Sequence, residues 1–119
     1  MTHTQIQESL HDLNDMVVSG DLLGAFEKYY HDEVVMQENN QPPTISKQAN
    51  RQREIEFLTN VVDFRKAEVQ AVAVGENIST VIWNLDYTHK EWGVRNYTQV
   101  SIQHWKDGKI VKEQFIYNN

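Results

Sequence analysis

Three kinds of residue in this chain are equipped for chemistry: a histidine in a turn, a glutamate alternating with aromatic residues, and a set of indole and phenol rings. His89 stands in Thr88-His89-Lys90-Glu91-Trp92. Imidazole titrates near neutral pH and can take or give a proton, although a turn histidine is more commonly just solvent-exposed. His31 and His104 rank below it, His31 because a helix end accounts for it. Glu113 reads as a structural partner for Arg95 or for a tyrosine hydroxyl, with a catalytic role as the alternative. Trp83, Tyr87, Tyr97, Trp105, Phe115 and Tyr117 offer flat apolar walls with O–H or N–H handles, the lining of a site for a ring-shaped or carbonyl-bearing ligand; any one of them alone could be plain core.

Other chemistries lack their residues. There is no cysteine, so disulfides, thiolate metal sites and a cysteine nucleophile are excluded. The five histidines, at positions 3, 11, 31, 89 and 104, show no paired ligand spacing, and no metal site is expected. Neither a glycine-rich phosphate loop nor a Gly-x-Ser-x-Gly elbow occurs, and no cofactor is expected. A net charge of −6, with basic residues scattered, repels phosphate backbones, so nucleic acid is not an expected partner. No apolar run is long enough to cross a bilayer, and residues 1–10 carry no basic-then-apolar leader. The expectation is a cytoplasmic protein, folded as one domain over residues 1–119.

The elements that must position these groups follow from periodicity. Ile6, Leu10, Leu13 and Val17 make one stripe on a first helix, with Thr4 and Gln7 suited to a capping box. Ser19-Gly20 ends it and Asp21 caps a second helix, whose apolar face carries Leu22, Leu23, Phe26, Tyr29 and Tyr30. Val34, Val35 and Met36 suit a brief strand, stopped by a polar loop over 37–43. A third helix starts at Ser46 with Ile45 as staple, runs through the charged stretch 51–56, and turns Ile55, Leu58 and Val62 inward. Strands are predicted at 64–74, 78–89, 94–105 and 109–117, joined by turns at Gly75-Glu76-Asn77, 90–93 and Lys106-Asp107-Gly108. This is an α+β layout: four long strands in an antiparallel meander, one short strand, and three N-terminal helices.

The Gly20-Asp21-Leu22 junction, the helix ending Tyr30-His31-Asp32-Glu33, the segment from Val34 to Glu38 and the hairpin Asp107-Gly108-Lys109-Ile110-Val111 resemble the nuclear transport factor 2-like superfamily. Within it the chain looks most like the SnoaL-like polyketide cyclase and ketosteroid isomerase branch. The resemblance covers nearly the whole chain and implies a curved sheet wrapped as a cone over the helices, enclosing a pocket. It also implies a role for Glu38, which falls where the isomerases keep a general base after the first strand. The isomerase tyrosine of the first helix falls on Leu13, and the strand acid on Ser101.

Given such a wrap, alternation sorts the strands into two faces. Val81, Trp83, Leu85, Tyr87 and His89 face inward on the second long strand, and the resemblance turns Tyr97, Gln99, Ser101, Gln103 and Trp105 inward on the third. Val111, Glu113, Phe115 and Tyr117 follow on the last. Buried polar groups such as Gln99, Gln103 and Glu113 then need partners or a solvated pocket. Two functions fit. One is an isomerase, cyclase or dehydratase moving a proton on a small carbonyl compound, with Glu38 and His89 catalytic and Tyr30, Trp83, Tyr87, Tyr97, Gln99, Ser101, Trp105, Glu113, Phe115 and Tyr117 lining the ligand. The other is a non-catalytic binding or dimerisation module, in which Val100, Ile102 and Ile116 on the outer sheet face form a homodimer.

Overall fold

Two Thr-x-x-Gln frames overlap at the N-terminus, and the fold uses the earlier one. In the computed structural model, which describes residues 1–118, Thr2 rather than Thr4 caps the first helix. Gln5 N–H donates to Thr2 Oγ1 at 3.1 Å, and Thr2 N–H donates back to Gln5 Oε1 at 2.8 Å. The earlier frame gives a longer helix for the same two hydrogen bonds. Helix α1 (His3–Val18) buries Ile6, Leu10 and Leu13, each contributing about 1.5–3 kcal/mol of apolar burial. Asp21 caps α2 (Leu22–Tyr29) through Gly24 N–H at 3.0 Å; a Cβ on Gly24 would lie 2.2 Å from the Asp21 carboxylate, which would have to shift to make room.

Strand β1 (Tyr30–Glu38) starts at Tyr30, not at Val34. Between Tyr30 and Val35 the partner strand advances only from Ile110 to Lys112, so polar residues 31–33 bulge outward; they break the apolar pattern without ending the strand. The loop expected over 37–43 is shorter than that, and β2 (Thr44–Ile45) pairs antiparallel with Met36 and Val35, which two residues of sequence pattern could not reveal.

Ser46 caps α3 (Lys47–Asn60) through Ala49 N–H. Three expected apolar contacts are absent here: Ile45, Ile55 and Val62 are 67%, 38% and 66% exposed. The inner face of α3 is polar at its start. Asn50 Nδ2 donates to the carbonyls of Ser46, Thr44 and Val34 at 2.8, 3.0 and 3.3 Å, and Lys47 Nζ to Glu27 O at 2.9 Å. These bonds satisfy the carbonyls where helix, β1 and β2 meet, a task apolar side chains cannot perform.

Strands β3 (Val61–Val74), β4 (Ile78–His89), β5 (Gly93–Lys106) and β6 (Lys109–Tyr117) form the expected meander. Asp107 and Gly108 both have positive φ (54° and 82°), as a two-residue turn matched to the sheet twist requires. Strand β1 adds parallel to β6, giving one curved, unclosed sheet in the order β2-β1-β6-β5-β4-β3. Inward alternation on β4 and β5 is as expected. On β6 it is corrected at one place: His104 pairs with Lys112 and Trp105 with Ile110, so Val111 is bulged and Ile110 takes the core position assigned to it. Glu113 beyond the bulge keeps its inward place.

Candidate functional site

A cavity of about 1130 Å³ lies between the sheet and the helices, with walls from α1, β1, α3, β4, β5 and β6. Of the residues singled out in the sequence, Tyr30, Glu38, Trp83, Tyr87, His89, Tyr97, Gln99, Ser101, Glu113, Phe115 and Tyr117 line it, as do Leu13 and Gln103. Trp105 does not. It is buried behind the wall, with its Nε1 donating to Ser79 Oγ at 2.8 Å and its ring edge-on to Tyr29.

The deep end is a directed chain of hydrogen bonds. Trp105 donates to Ser79, Ser79 Oγ to Gln103 Oε1 at 2.6 Å, and Gln103 Nε2 to Glu113 Oε2 at 2.9 Å, while the Tyr30 hydroxyl donates to Glu113 Oε1. Every donor points toward one carboxyl that is 2% exposed. Burial pushes Glu113 up to about 7, against the two hydrogen bonds that favour its charged form. The tyrosine hydroxyl is thus the partner that Glu113 takes; Arg95 is not.

A second polar set lines the same cavity. The Tyr87 and Tyr97 hydroxyls meet at 2.7 Å, and the Tyr97 and Tyr117 rings lie 5.3 Å apart. Tyr117 donates to Glu38 Oε1 at 3.1 Å, and Arg53 Nη2 to Glu38 Oε2 at 2.8 Å. Burial, reinforced by Glu38, holds the Tyr117 hydroxyl up at about 12, and burial raises Tyr97 as well. Both oxygens of Glu38 are therefore engaged, and its side chain is 42% exposed.

Glu54 was not singled out by the sequence, yet it lines the cavity half-buried, without a hydrogen-bond partner among the described residues. Burial first, then the negative charges of Glu113 and Glu38, push it up to about 7, with Arg53 opposing. The signal lay in α3: Lys47, Asn50, Glu54, Phe57 and Leu58 recur at spacings of three, four, three and one, a single helical face on which the charged run concealed an inward carboxyl.

His89 is buried at 3% exposure instead of sitting loose in its turn. Its ring stacks on Trp92 at 3.7 Å and 9°, with Phe57 on α3 at 6.1 Å. Its Nδ1 accepts from Glu91 N–H at 3.1 Å, which assigns the proton of the neutral ring to Nε2. Gln99 Nε2 reaches Ser101 Oγ at 3.4 Å. Among the described residues no three His, Cys, Asp or Glu side chains gather as a metal site, and no helix is long and apolar enough to cross a membrane.

A family model for the SnoaL-like domain matches residues 1–117. The chain belongs to the SnoaL-like family. This SnoaL-like domain is similar to a crystal structure described as a candidate SnoaL-like polyketide cyclase, also labelled a carbohydrate phosphatase, from Mesorhizobium loti; the two share 27% identity, with a TM-score of 0.84 over 97% of this chain and 98% of that one. A candidate SnoaL-like polyketide cyclase from Jannaschia sp. CCS1 (11% identity, TM-score 0.81, 98% and 87% covered) shares its fold. So does AclR, a candidate hydroxylase from Streptomyces galilaeus (14% identity, TM-score 0.78, 98% and 81% covered). A comparison with curated proteins gives no match. The SnoaL-like fold accounts for the container, and relatives this distant leave its contents to be argued from the side chains.

Proposed function

We propose that this SnoaL-like domain binds a small, carbonyl-bearing molecule in its cavity and moves a proton on it, as an isomerase, cyclase or dehydratase does. The observation that carries the reading is Glu54: an unpartnered carboxyl on the wall of an aromatic cavity, held near neutrality by burial and by Glu113 and Glu38. A proton carrier works best when its pKa lies near the working pH. Glu54 exchanges the proton; burial tunes it, helped by the nearby Glu113 and Glu38 carboxyls, and Tyr30 and Gln103 anchor Glu113. Glu38 fixes Arg53 and Tyr117 at the wall, while His89, Tyr97 and Gln99 orient the substrate. The whole chain acts as one cytoplasmic domain in this reading.

The test is proton exchange itself. In D2O, 1H NMR of a panel of small ketones and 1,3-dicarbonyls should show the protein speeding loss of α-proton signal for at least one member, and Glu54→Gln abolishing it. No acceleration across the panel, or acceleration unchanged in Glu54→Gln, would refute the assignment.

A second reading rests on a separate observation. The outer face of β4, β5 and β6 presents Ile82, Val100, Ile102 and the 40%-exposed Ile116 side by side, apolar area that a second copy would cover. The module is then a homodimer through that face, with or without catalysis in the cavity.

A further inference from the structure

Two cationic side chains line the cavity among the described residues, Arg53 and Arg95, and only the first is occupied. Arg53 holds Glu38 and Thr44. Arg95 sits near the start of β5, paired with Tyr87 of β4, and its guanidinium carbon lies 5.0 Å from the centre of the Tyr97 ring. Its Nε is buried and bonded to nothing, and it joins none of the ion pairs among the described residues. A buried charged donor left without an acceptor is costly, and a guanidinium fork matches the two oxygens of a carboxylate.

The neighbours fit the same ligand. Tyr87 and Tyr97 share one proton in their mutual hydrogen bond, which leaves a second hydroxyl proton free to donate. Phe57 stands edge-on to Tyr87 at 5.3 Å, and Trp92 lies 6.3 Å from Phe57, so a flat apolar wall adjoins the free donors. The cavity-lining carboxyls are Glu38 on β1, Glu54 and Glu56 on α3, Glu113 on β6 and Glu91 in the turn between β4 and β5, and Arg95 is bonded to none of them. Arg95 is therefore a cavity-lining cation with no carboxylate partner among the described residues.

We propose that Arg95 and the Tyr87–Tyr97 hydroxyl pair form an anion subsite that takes the carboxylate of a small, flat-bodied acid, with Phe57 and Trp92 against its apolar part. This rests on reading the cavity as a small-molecule site and does not require Glu54 to move a proton.

Phenylacetate and phenylacetamide are suitable probes, since they share shape and differ in charge. Calorimetry at neutral pH should show saturable phenylacetate binding at least about tenfold tighter than phenylacetamide. Arg95→Gln should bring phenylacetate to the level of the amide and leave amide binding unchanged, which also reports an intact fold. If Arg95→Gln loses both probes, Arg95→Lys decides: a retained preference for phenylacetate supports the subsite, and a lost preference overturns it. Equal binding of the two probes by the unmodified protein, no saturable phenylacetate binding up to about 10 mM, or a preference unaffected by Arg95→Gln would overturn it too. Glu54→Gln should keep the preference, so loss of proton exchange and loss of anion binding are separable results.

Discussion

The Tyr30 hydroxyl, at the first residue of β1, donates to the buried carboxyl of Glu113 on the neighbouring strand, and Gln103 donates to the other oxygen. Because burial lifts Glu113 to about 7 from an ordinary value of 4.5, the folded protein holds this proton over a range in which the unfolded chain releases it. Stability is therefore expected to fall as pH rises from about 4.5 to about 7 and to level off above, by up to roughly 3 kcal/mol from this group. Urea denaturation at a series of pH values checks this, and Glu113→Gln should remove this group's share of the slope and leave that of Glu54, which burial also raises to about 7. A slope rising through that window would contradict the assignment.

For Glu54 the expected signature is kinetic. If its deprotonated form accepts the substrate proton, exchange should rise with pH through about 7 and then plateau. Glu54→Gln should cost about 100-fold or more in exchange rate, with thermal stability at neutral pH unchanged or raised, because the buried charge is removed. A direct 13C titration of the labelled Glu54 carboxyl gives its midpoint independently of any substrate.

Asn50 fastens α3 to β1 and β2 with one amide nitrogen. Asn50→Ala removes all three side-chain bonds, although Val34 O and Ser46 O keep the backbone donors Ser46 N–H and Asn50 N–H, and the expected loss is about 1–2 kcal/mol, or a melting temperature lower by roughly 5–10 °C. Asn50→Asp, which supplies oxygens where donors are needed, should be worse.

The outer sheet face makes a simple prediction about assembly. Sedimentation at micromolar concentration should give a dimer of the 14.0 kDa chain, and Ile102→Asp should return it to a monomer. A single 14.0 kDa species from the unmodified chain would end the dimer reading.

The strands and their inward faces were legible because alternation survives wherever one face is buried: Val81, Trp83, Tyr87 and His89 read correctly without coordinates. Val111 was misplaced because a bulge leaves no mark in alternation. The larger miss was α3. Its inner face carries Lys47, Asn50 and Glu54, and a hydrophobic pattern cannot point to a face that is polar for a reason. Glu38 was visible through family resemblance, Glu54 only through helical spacing.

The parallel seam between β1 and β6 has a kinetic consequence. The meander from β3 to β6 can zip through short hairpins, whereas β1 must find β6 across a separation that is 83 residues between Tyr30 and Glu113, the highest loop-closure cost among the strand pairings. That seam is expected to form last during refolding. Since Tyr30 and Glu113 sit on its two sides, the floor of the cavity is completed only in the final event, and a partly folded form lacks a complete site.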